Sequence, residues 1–167
     1  VVDGAVYYSV RMNNHTSVPV GVLGASGYVG QELLRLLARH PGASVTFATA
    51  ESAAGEWVEG HQLIKADDAP FTSAEIVFSA LPHGVSARYV HEARAAGRRA
   101  VDLSADFRLS PDAVYGLTEF TRPRLPDADL VANPGCYPTA ALLALIPLAQ
   151  LGLIDPSREV IIDAASG

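Results

Sequence analysis

The residue best suited to chemistry in this 167-residue sequence is its single cysteine, Cys136, in the stretch "NPGCYPTA". A short apolar run, "DLVAN", ends just before it, and a long helix-like apolar run follows. A thiol is a strong nucleophile as the thiolate, and a helix N-terminus favours negative charge. Pro138 suits the first turn of a helix, where an N–H group would be unpaired anyway. The pattern predicts a nucleophilic thiol at or just before a helix start; the alternative is a buried structural cysteine.

A second stretch, "GVLGASGYVGQELL", places Gly24, Gly27 and Gly30 between a strand-like and a helix-like run. In such a turn Gly24 permits a tight bend, Gly27 lets a pyrophosphate approach the backbone, and Gly30 lets helix and strand pack closely. The N–H groups of the first helical turn then form an anion site. This pattern predicts a dinucleotide-binding turn, with a purely structural turn as the alternative.

The form of the dinucleotide depends on the residues after the second predicted strand. Glu51 stands where a carboxylate would bind the ribose hydroxyls of NAD, whereas its neighbour Ser52 could bind a 2′-phosphate. No arginine stands nearby in the sequence, so residue chemistry alone leans toward NAD.

The elements that must position these turns alternate between apolar strands and helices. Strands are expected at "VPVGVL", "SVTFATA", "AEIVFSALP", "RRAVDLS", "DLVAN" and "EVIIDAA", with helices at "YVGQELLRLLARH", "GVSARYVHEARAAG" and from Cys136 to about Leu151. This alternation predicts an α/β fold: a Rossmann-type, doubly wound, mainly parallel sheet with helices on both faces. The glycine turn, the cysteine turn and His83, which is either a crevice or a loop histidine, then lie at the carboxyl edge of the sheet.

Three segments depart from that pattern. Residues 51–72 and 104–128 contain many turn-forming residues and are expected to be irregular. Pro147 lies inside the last predicted helix and should kink it or end it early. Residues 1–17 are interpreted as an N-terminal extension and residues 18–167 as one NAD(P)-binding domain that carries the cysteine.

Composition narrows the class of protein. A net charge of −6 argues against binding nucleic acid or an anionic membrane, and no apolar run approaches the length of a membrane span. One cysteine excludes an internal disulfide and suits a reducing compartment. The histidines show no metal-ligand spacing, so no metal site is predicted.

Five motifs in order, "GASGYVG", "ALPHG", "DLSADFRL", "YGLTE" and "NPGCYPTA", resemble the N-acetyl-γ-glutamyl-phosphate reductases, NADPH enzymes of arginine biosynthesis. The resemblance extends from about Val20 to Gly167. The related aspartate-semialdehyde dehydrogenases typically have Asn where this chain has Gly135, and they lack "CYPT". An aspartate-semialdehyde dehydrogenase and a LysW-linked aminoadipyl-phosphate reductase remain the alternatives within the enzyme class.

The resemblance implies roles for individual residues. Cys136 would attack an acyl phosphate, expel phosphate and form a thioester that hydride from NADPH reduces to the semialdehyde. Arg108 would bind phosphate or a substrate carboxylate, and Asn133 would orient the substrate carbonyl or cap the turn. The cofactor becomes NADP, with Ser52 as the contact of the 2′-phosphate. The implied cofactor-binding residues are Gly24, Ala25, Ser26, Gly27, Tyr28, Val29, Gly30, Ser52, Leu81, Pro82, Ser166 and Gly167.

The chain also departs from the family pattern. It stops at "DAASG", so the family's second domain, with its catalytic histidine and subunit interface, is expected to be absent. The connection from Arg108 to "YGLTE" is short, and no general acid can be named. We therefore expect a cytoplasmic cofactor domain with little activity alone, from a family that is homo-oligomeric through the missing domain. The alternative is a non-catalytic NADP-binding domain.

Overall fold

A computed structural model describes residues 17–155 and 157–165. Its centre is one eight-stranded sheet in the order β3-β4-β2-β1-β5-β6-β8-β7. All neighbouring strands are parallel except the β3–β4 pair. The strands are β1 (Val18–Leu23), β2 (Ala43–Thr49), β3 (Trp57–Val58), β4 (His61–Ile64), β5 (Ile76–Ser79), β6 (Arg99–Asp102), β7 (Val114–Tyr115) and β8 (Leu130–Ala132).

Helices connect these strands and cover both faces of the sheet. They are α1 (Tyr28–Ala38), α2 (Ser86–Ala95), α3 (Thr118–Thr121) and α4 (Cys136–Gln150), with 3-10 turns at Ala66–Asp68, Phe71–Ser73 and Arg122–Arg124. Alternate residues of β1 point to opposite faces. Val20 and Val22 pack in the core beneath α1, whereas Leu23 packs in the core beneath α2. The predicted doubly wound α/β fold is confirmed.

The two connections expected to be irregular contain more structure than their composition predicted. Residues 51–72 hold the short antiparallel pair β3–β4, and β4 adds to the edge of the sheet beside β2. Residues 104–128 hold β7 and α3. Sheet pairing overrides weak local propensity, because backbone groups at the edge of the sheet gain ladder hydrogen bonds.

The strand predicted near the C-terminus is wrong. Residues 159–165 form no strand, and Ile161 and Ile162 are exposed. A β-branched run needs a neighbouring strand to become part of a sheet, and none of the described strands pairs with it. Of the two outcomes expected at Pro147, a kink or an early helix end, the early end is wrong, because α4 continues to Gln150. Pro147 lies one turn from the helix end, and its carbonyl still accepts the N–H of Leu151 at 3.1 Å.

Helix α4 differs from the other long helices because none of its side chains is buried. Leu143 and Leu148 are among its exposed apolar residues. Within the described residues, no helix is long and apolar enough to cross a membrane. The predicted extension, apart from Ser17, and the predicted site residues Ser166 and Gly167 lie outside the described residues.

Candidate functional site

The glycine turn follows β1 and begins α1, as predicted. Gly24 has φ +75°, a conformation that favours glycine, and a Cβ there would lie 2.7 Å from the carbonyl oxygen of Ala80. A Cβ on Gly30 would lie 2.2 Å from the carbonyl oxygen of Gly24, so helix and turn touch backbone to backbone. Both glycines are therefore required by close approach.

Gly27 differs from these two glycines because a Cβ there would meet nothing closer than the Gly24 oxygen at 3.5 Å. Gly27 is the N-cap of α1 and makes no side-chain capping bond. The first N–H groups of a helix have no acceptor within the helix. The fold therefore tolerates a side chain at Gly27, and the open space beside it suits a pyrophosphate approaching these N–H groups.

The other predicted residues of the turn have different surroundings. Tyr28 and Val29 are exposed, whereas Ser26 is half-buried and its carbonyl accepts a hydrogen bond from the side chain of Gln31. Ala25 is completely buried in the core beneath α1. Its side chain packs against the protein interior, so only its backbone remains as a candidate for ligand contact.

A cleft of about 320 Å³ opens at the carboxyl edge of the sheet beside the glycine turn. Its lining residues are Val29, Ala80, Leu81, Pro82, His83, Leu103 and Ser104. The predicted residues Leu81 and Pro82 thus line the same cleft as Val29 of the glycine turn. His83 is fixed there because its Nδ1 accepts the N–H of Ala105 at 2.8 Å.

The predicted contacts of the cofactor's 2′ position lie farther along the same edge. Glu51 and Ser52 follow β2, which is the neighbour of β1, and both are exposed. Either side chain is free to meet a ribose or its phosphate, and the geometry does not favour one over the other.

The cysteine turn follows β8, and Cys136 is the first residue of α4. The prediction of a thiol at a helix start is therefore correct. Because the thiol is exposed, the alternative of a buried cysteine is wrong. The carbonyl of Gly135 accepts both the N–H and the hydroxyl of Thr139, at 2.9 and 2.8 Å. These bonds fix the turn that presents the thiol.

Arg108 packs against this turn. Its Nε donates to the carbonyl of Asn133 at 3.0 Å, and its Nη2 donates to the carbonyl of Leu103 at 3.1 Å. A Cβ on Gly135 would lie 2.9 Å from Nη1. The guanidinium therefore links the ends of β6 and β8 and lies beside the residue that precedes Cys136. Of the five N–H groups of an arginine, these bonds use two.

Asn133 takes part in the same turn. Its backbone N–H donates to the carbonyl of Asp102 at 2.8 Å, and its side-chain amide donates to the carbonyl of Pro134 at 3.0 Å. Two roles were predicted for Asn133, capping the turn and orienting the substrate carbonyl. These hydrogen bonds correspond to the capping role.

A buried polar cluster beneath the cleft was not predicted. Ser79, Ser86, Asp102 and Ser104 are each at most 1% exposed. Asp102 accepts the hydroxyl of Ser86 at 2.5 Å and the hydroxyl of Ser104 at 2.7 Å. Ser79 and Ser86 share a hydrogen bond of 2.6 Å. In the sequence, the run "DLSAD" shows only that Asp102 and Ser104 are neighbours. Ser79 ends β5 and Ser86 begins α2, so the sequence does not show that they join the cluster.

The part of the chain that the structure describes offers no set of side chains that could hold a metal ion. There, no three or more His, Cys, Asp or Glu side chains are grouped closely enough to hold an ion.

Together, the sheet, the glycine turn and the cleft define a dinucleotide-binding α/β domain with an exposed thiol at the same edge. The chain belongs to the semialdehyde dehydrogenase family: residues 19–128 match the model of its NAD binding domain. Residues 136–167 match the model of the family's dimerisation domain, and that match begins at Cys136.

Curated relatives agree with the resemblance inferred from the five motifs, which is thereby confirmed. The chain is 44% identical to an N-acetyl-gamma-glutamyl-phosphate reductase of Marinobacter nauticus, over 90% of this chain and 52% of the relative. It is 42% identical to one from Archaeoglobus fulgidus, over 89% of this chain and 51% of the relative. The chain thus spans about half the length of the curated relatives it matches.

Solved structures support the fold. Aspartate semialdehyde dehydrogenase II from Vibrio cholerae superposes with a TM-score of 0.71 at 22% identity, over 81% of this chain and 47% of that one. A probable aspartate-semialdehyde dehydrogenase from Pseudomonas aeruginosa has a TM-score of 0.63 at 26% identity, over 84% of this chain and 44% of that one.

Proposed function

We propose that this chain supplies the cofactor-binding and nucleophile-bearing part of an NADPH-dependent N-acetyl-γ-glutamyl-phosphate reductase. The observation that carries the proposal is the placement of Cys136 at a helix start, after a turn that Arg108 holds by a hydrogen bond, on the sheet edge that also holds the glycine turn. The relatives' names and the match to the NAD binding domain support the same reaction class. The semialdehyde would serve arginine biosynthesis.

The residues at this edge fit a dinucleotide. The open space beside Gly27 and the uncapped N-terminus of α1 suit the pyrophosphate. Val29, Leu81 and Pro82 offer apolar walls for the nicotinamide. For the 2′-phosphate we propose Ser52, on the basis of the family resemblance. Ser166 and Gly167 are proposed to complete the nicotinamide side.

The proposed chemistry begins at the thiol. The Cys136 thiolate attacks the acyl carbonyl, so that a C–S bond forms, the C–O bond to phosphate breaks and phosphate leaves. When bound in the cleft, NADPH would supply the hydride that reduces the resulting thioester carbonyl. Release of the semialdehyde then returns the thiolate.

Two further side chains would assist this step. The N–H groups of Arg108 that are not bound to backbone carbonyls would hold the substrate's phosphate or carboxylate, because a guanidinium binds either anion. Asn133 would lie next to the reacting carbonyl while its amide caps the turn.

We propose that residues 18–167 work as one cofactor domain in the cytoplasm, where a lone cysteine stays reduced. The apolar, uncovered surface of α4 and the dimerisation-domain match support assembly into a homo-oligomer. Little turnover is then expected from this chain by itself.

Acyl transfer to the thiol is the most direct test. The purified chain would be mixed with N-acetylglutamyl phosphate without NADPH, and its intact mass measured by mass spectrometry. We expect one N-acetylglutamyl group on Cys136 and none in the Cys136→Ser variant. A chain that binds NADPH but is never acylated would support the non-catalytic binding domain instead.

A further inference from the structure

The loop that follows β6, residues 103–108, carries Arg108 to the cysteine turn, and nearly all of it is held by hydrogen bonds. The N–H of Leu103 donates to the carbonyl of Ser79 at 2.9 Å, and the N–H of Ala105 donates to His83. The N–H of Asp106 donates to the hydroxyl of Ser104 at 3.0 Å. The conformation of this loop therefore determines where the guanidinium lies.

Asp102 anchors this loop from below. Its side chain is completely buried, and its two oxygens accept the N–H and the hydroxyl of Ser104 at 3.2 and 2.7 Å. One oxygen also accepts the hydroxyl of Ser86, the first residue of α2. The same residue's carbonyl accepts the N–H of Asn133 in the cysteine turn. Asp102 thus connects β6, α2, the loop and the cysteine turn.

The cluster does not serve as an ion pair. Among the described residues, no salt bridge involves Asp102, and its acceptor bonds come from serine and backbone groups. Burying a carboxylate is costly unless its lone pairs are satisfied. A buried carboxylate with several neutral donors fixes the directions of all those donors at once.

A second carboxylate extends the connection to the cleft. Asp106 accepts the N–H groups of Gly84 and Ala87 at 2.8 and 3.0 Å, which ties the loop to the residues that begin α2. His83 and Ser104, which line the cleft, are therefore held by the same set of bonds as Arg108.

We propose that Asp102 is a positioning residue: it acts through Ser104 and the 103–108 loop to hold Arg108 against the turn that carries Cys136. The inference deepens the proposed function, since it concerns the same thiol. It assigns Asp102 no contact with substrate or cofactor. Its consequence is that loss of the carboxylate alters the thiol at a distance, by freeing the guanidinium beside Gly135.

The test uses the alkylation rate of Cys136 by iodoacetamide, a neutral reagent, in the purified chain, whose only thiol this is. We expect Asp102→Asn to slow alkylation by about fivefold or more, because Arg108 no longer holds in one conformation the turn that presents the thiol at the start of α4. Ser104→Ala, which keeps the carboxylate and removes one donor, should act in the same direction. It carries the test if Asp102→Asn does not fold.

A matched control separates positioning from lost stability. Leu34→Ala removes a completely buried side chain from the core beneath α1, a different cluster from the one that contains Phe107 of the loop. It should lower the melting temperature without moving the alkylation rate by more than about twofold. In an Arg108→Ala background, Asp102→Asn should add no further slowing, since the two changes act through one guanidinium.

An alkylation rate in Asp102→Asn and Ser104→Ala within twofold of the wild type, or equal to that of Leu34→Ala, would overturn the proposal. Full additivity with Arg108→Ala would also overturn it. These rates are compared without substrate. Failure of the proposed function, seen as no acylation by N-acetylglutamyl phosphate, is therefore recognised separately.

Discussion

The contact between Gly135 and Arg108 gives the most specific prediction, because a single methyl group should disturb it. In Gly135→Ala the new Cβ would lie 2.9 Å from Nη1 of Arg108 and 3.4 Å from its Cζ. Carbon atoms in contact normally lie about 3.5 Å or more apart, so the guanidinium must move by about half an ångström. The backbone itself can accept alanine, because Gly135 has φ −72°.

The size of the effect follows from the two bonds that Arg108 makes. Its bonds to the carbonyls of Asn133 and Leu103 are 3.0 and 3.1 Å long, and such a shift lengthens them toward about 3.5 Å, where a hydrogen bond is nearly lost. Hydrogen bonds to charged groups contribute about 1.5–3 kcal/mol. Because Arg108 is partly exposed, we expect a loss of about 1–2 kcal/mol in the free energy of unfolding.

The assay is a double-mutant cycle of Gly135→Ala with Arg108→Ala. Its two readouts are the free energy of unfolding in urea and the rate of Cys136 alkylation by iodoacetamide. In the Arg108→Ala background, Gly135→Ala should be nearly neutral. The gain from a less flexible unfolded chain is offset by a poorer N-cap. The coupling free energy should therefore be about 1–2 kcal/mol. A coupling below about 0.3 kcal/mol would refute the link between the guanidinium and the cysteine turn.

Three further predictions concern separate parts of the chain. Gly30→Ala should lower the free energy of unfolding by about 1–3 kcal/mol, as measured by urea unfolding, because its Cβ has no room. Gly27→Ala should keep the wild-type free energy of unfolding, but it should bind NADPH at least about tenfold more weakly in a fluorescence titration. Cys136→Ser should lower the rate of acyl transfer by a factor of about 10³ or more. It should leave the urea midpoint unchanged, since the thiol is exposed. The hydrogen bond to Asp67 raises the pKa of Tyr89, so Asp67→Ala should shift the absorbance titration of the Tyr89 phenol to lower pH. The stability that this bond contributes is present below about pH 10 and is lost as the pH rises further.

The regular part of the fold could be predicted because its patterns are local. Strands β1 and β5 are continuous apolar runs, and α1 shows a helical repeat that ends near Pro41-Gly42. Strand β4 was missed because its pairing with β2 involves only Leu63 and Ile64, too few residues for a periodic signal. The run at 159–165 has strong β-propensity, but it has no paired neighbour among the described strands.

The site was partly predictable for the same reason. The two turns could be located because each lies at a strand-to-helix junction, where glycine and proline have specific roles. The position of Arg108 against the cysteine turn and the buried cluster around Asp102 could not be located. Their partners are contributed by several strand ends that the fold brings together, and no spacing in the sequence encodes that contact.

We propose that Cys136 faces the nicotinamide end of the dinucleotide site. The most direct measurement is the rate of Cys136 alkylation in the presence of saturating NADP⁺, compared with saturating adenosine 2′,5′-bisphosphate, which occupies the adenosine half alone. We expect NADP⁺ to slow alkylation severalfold and the bisphosphate to leave the rate unchanged. Equal rates with NADP⁺, with the bisphosphate and with neither, while both ligands bind, would contradict it.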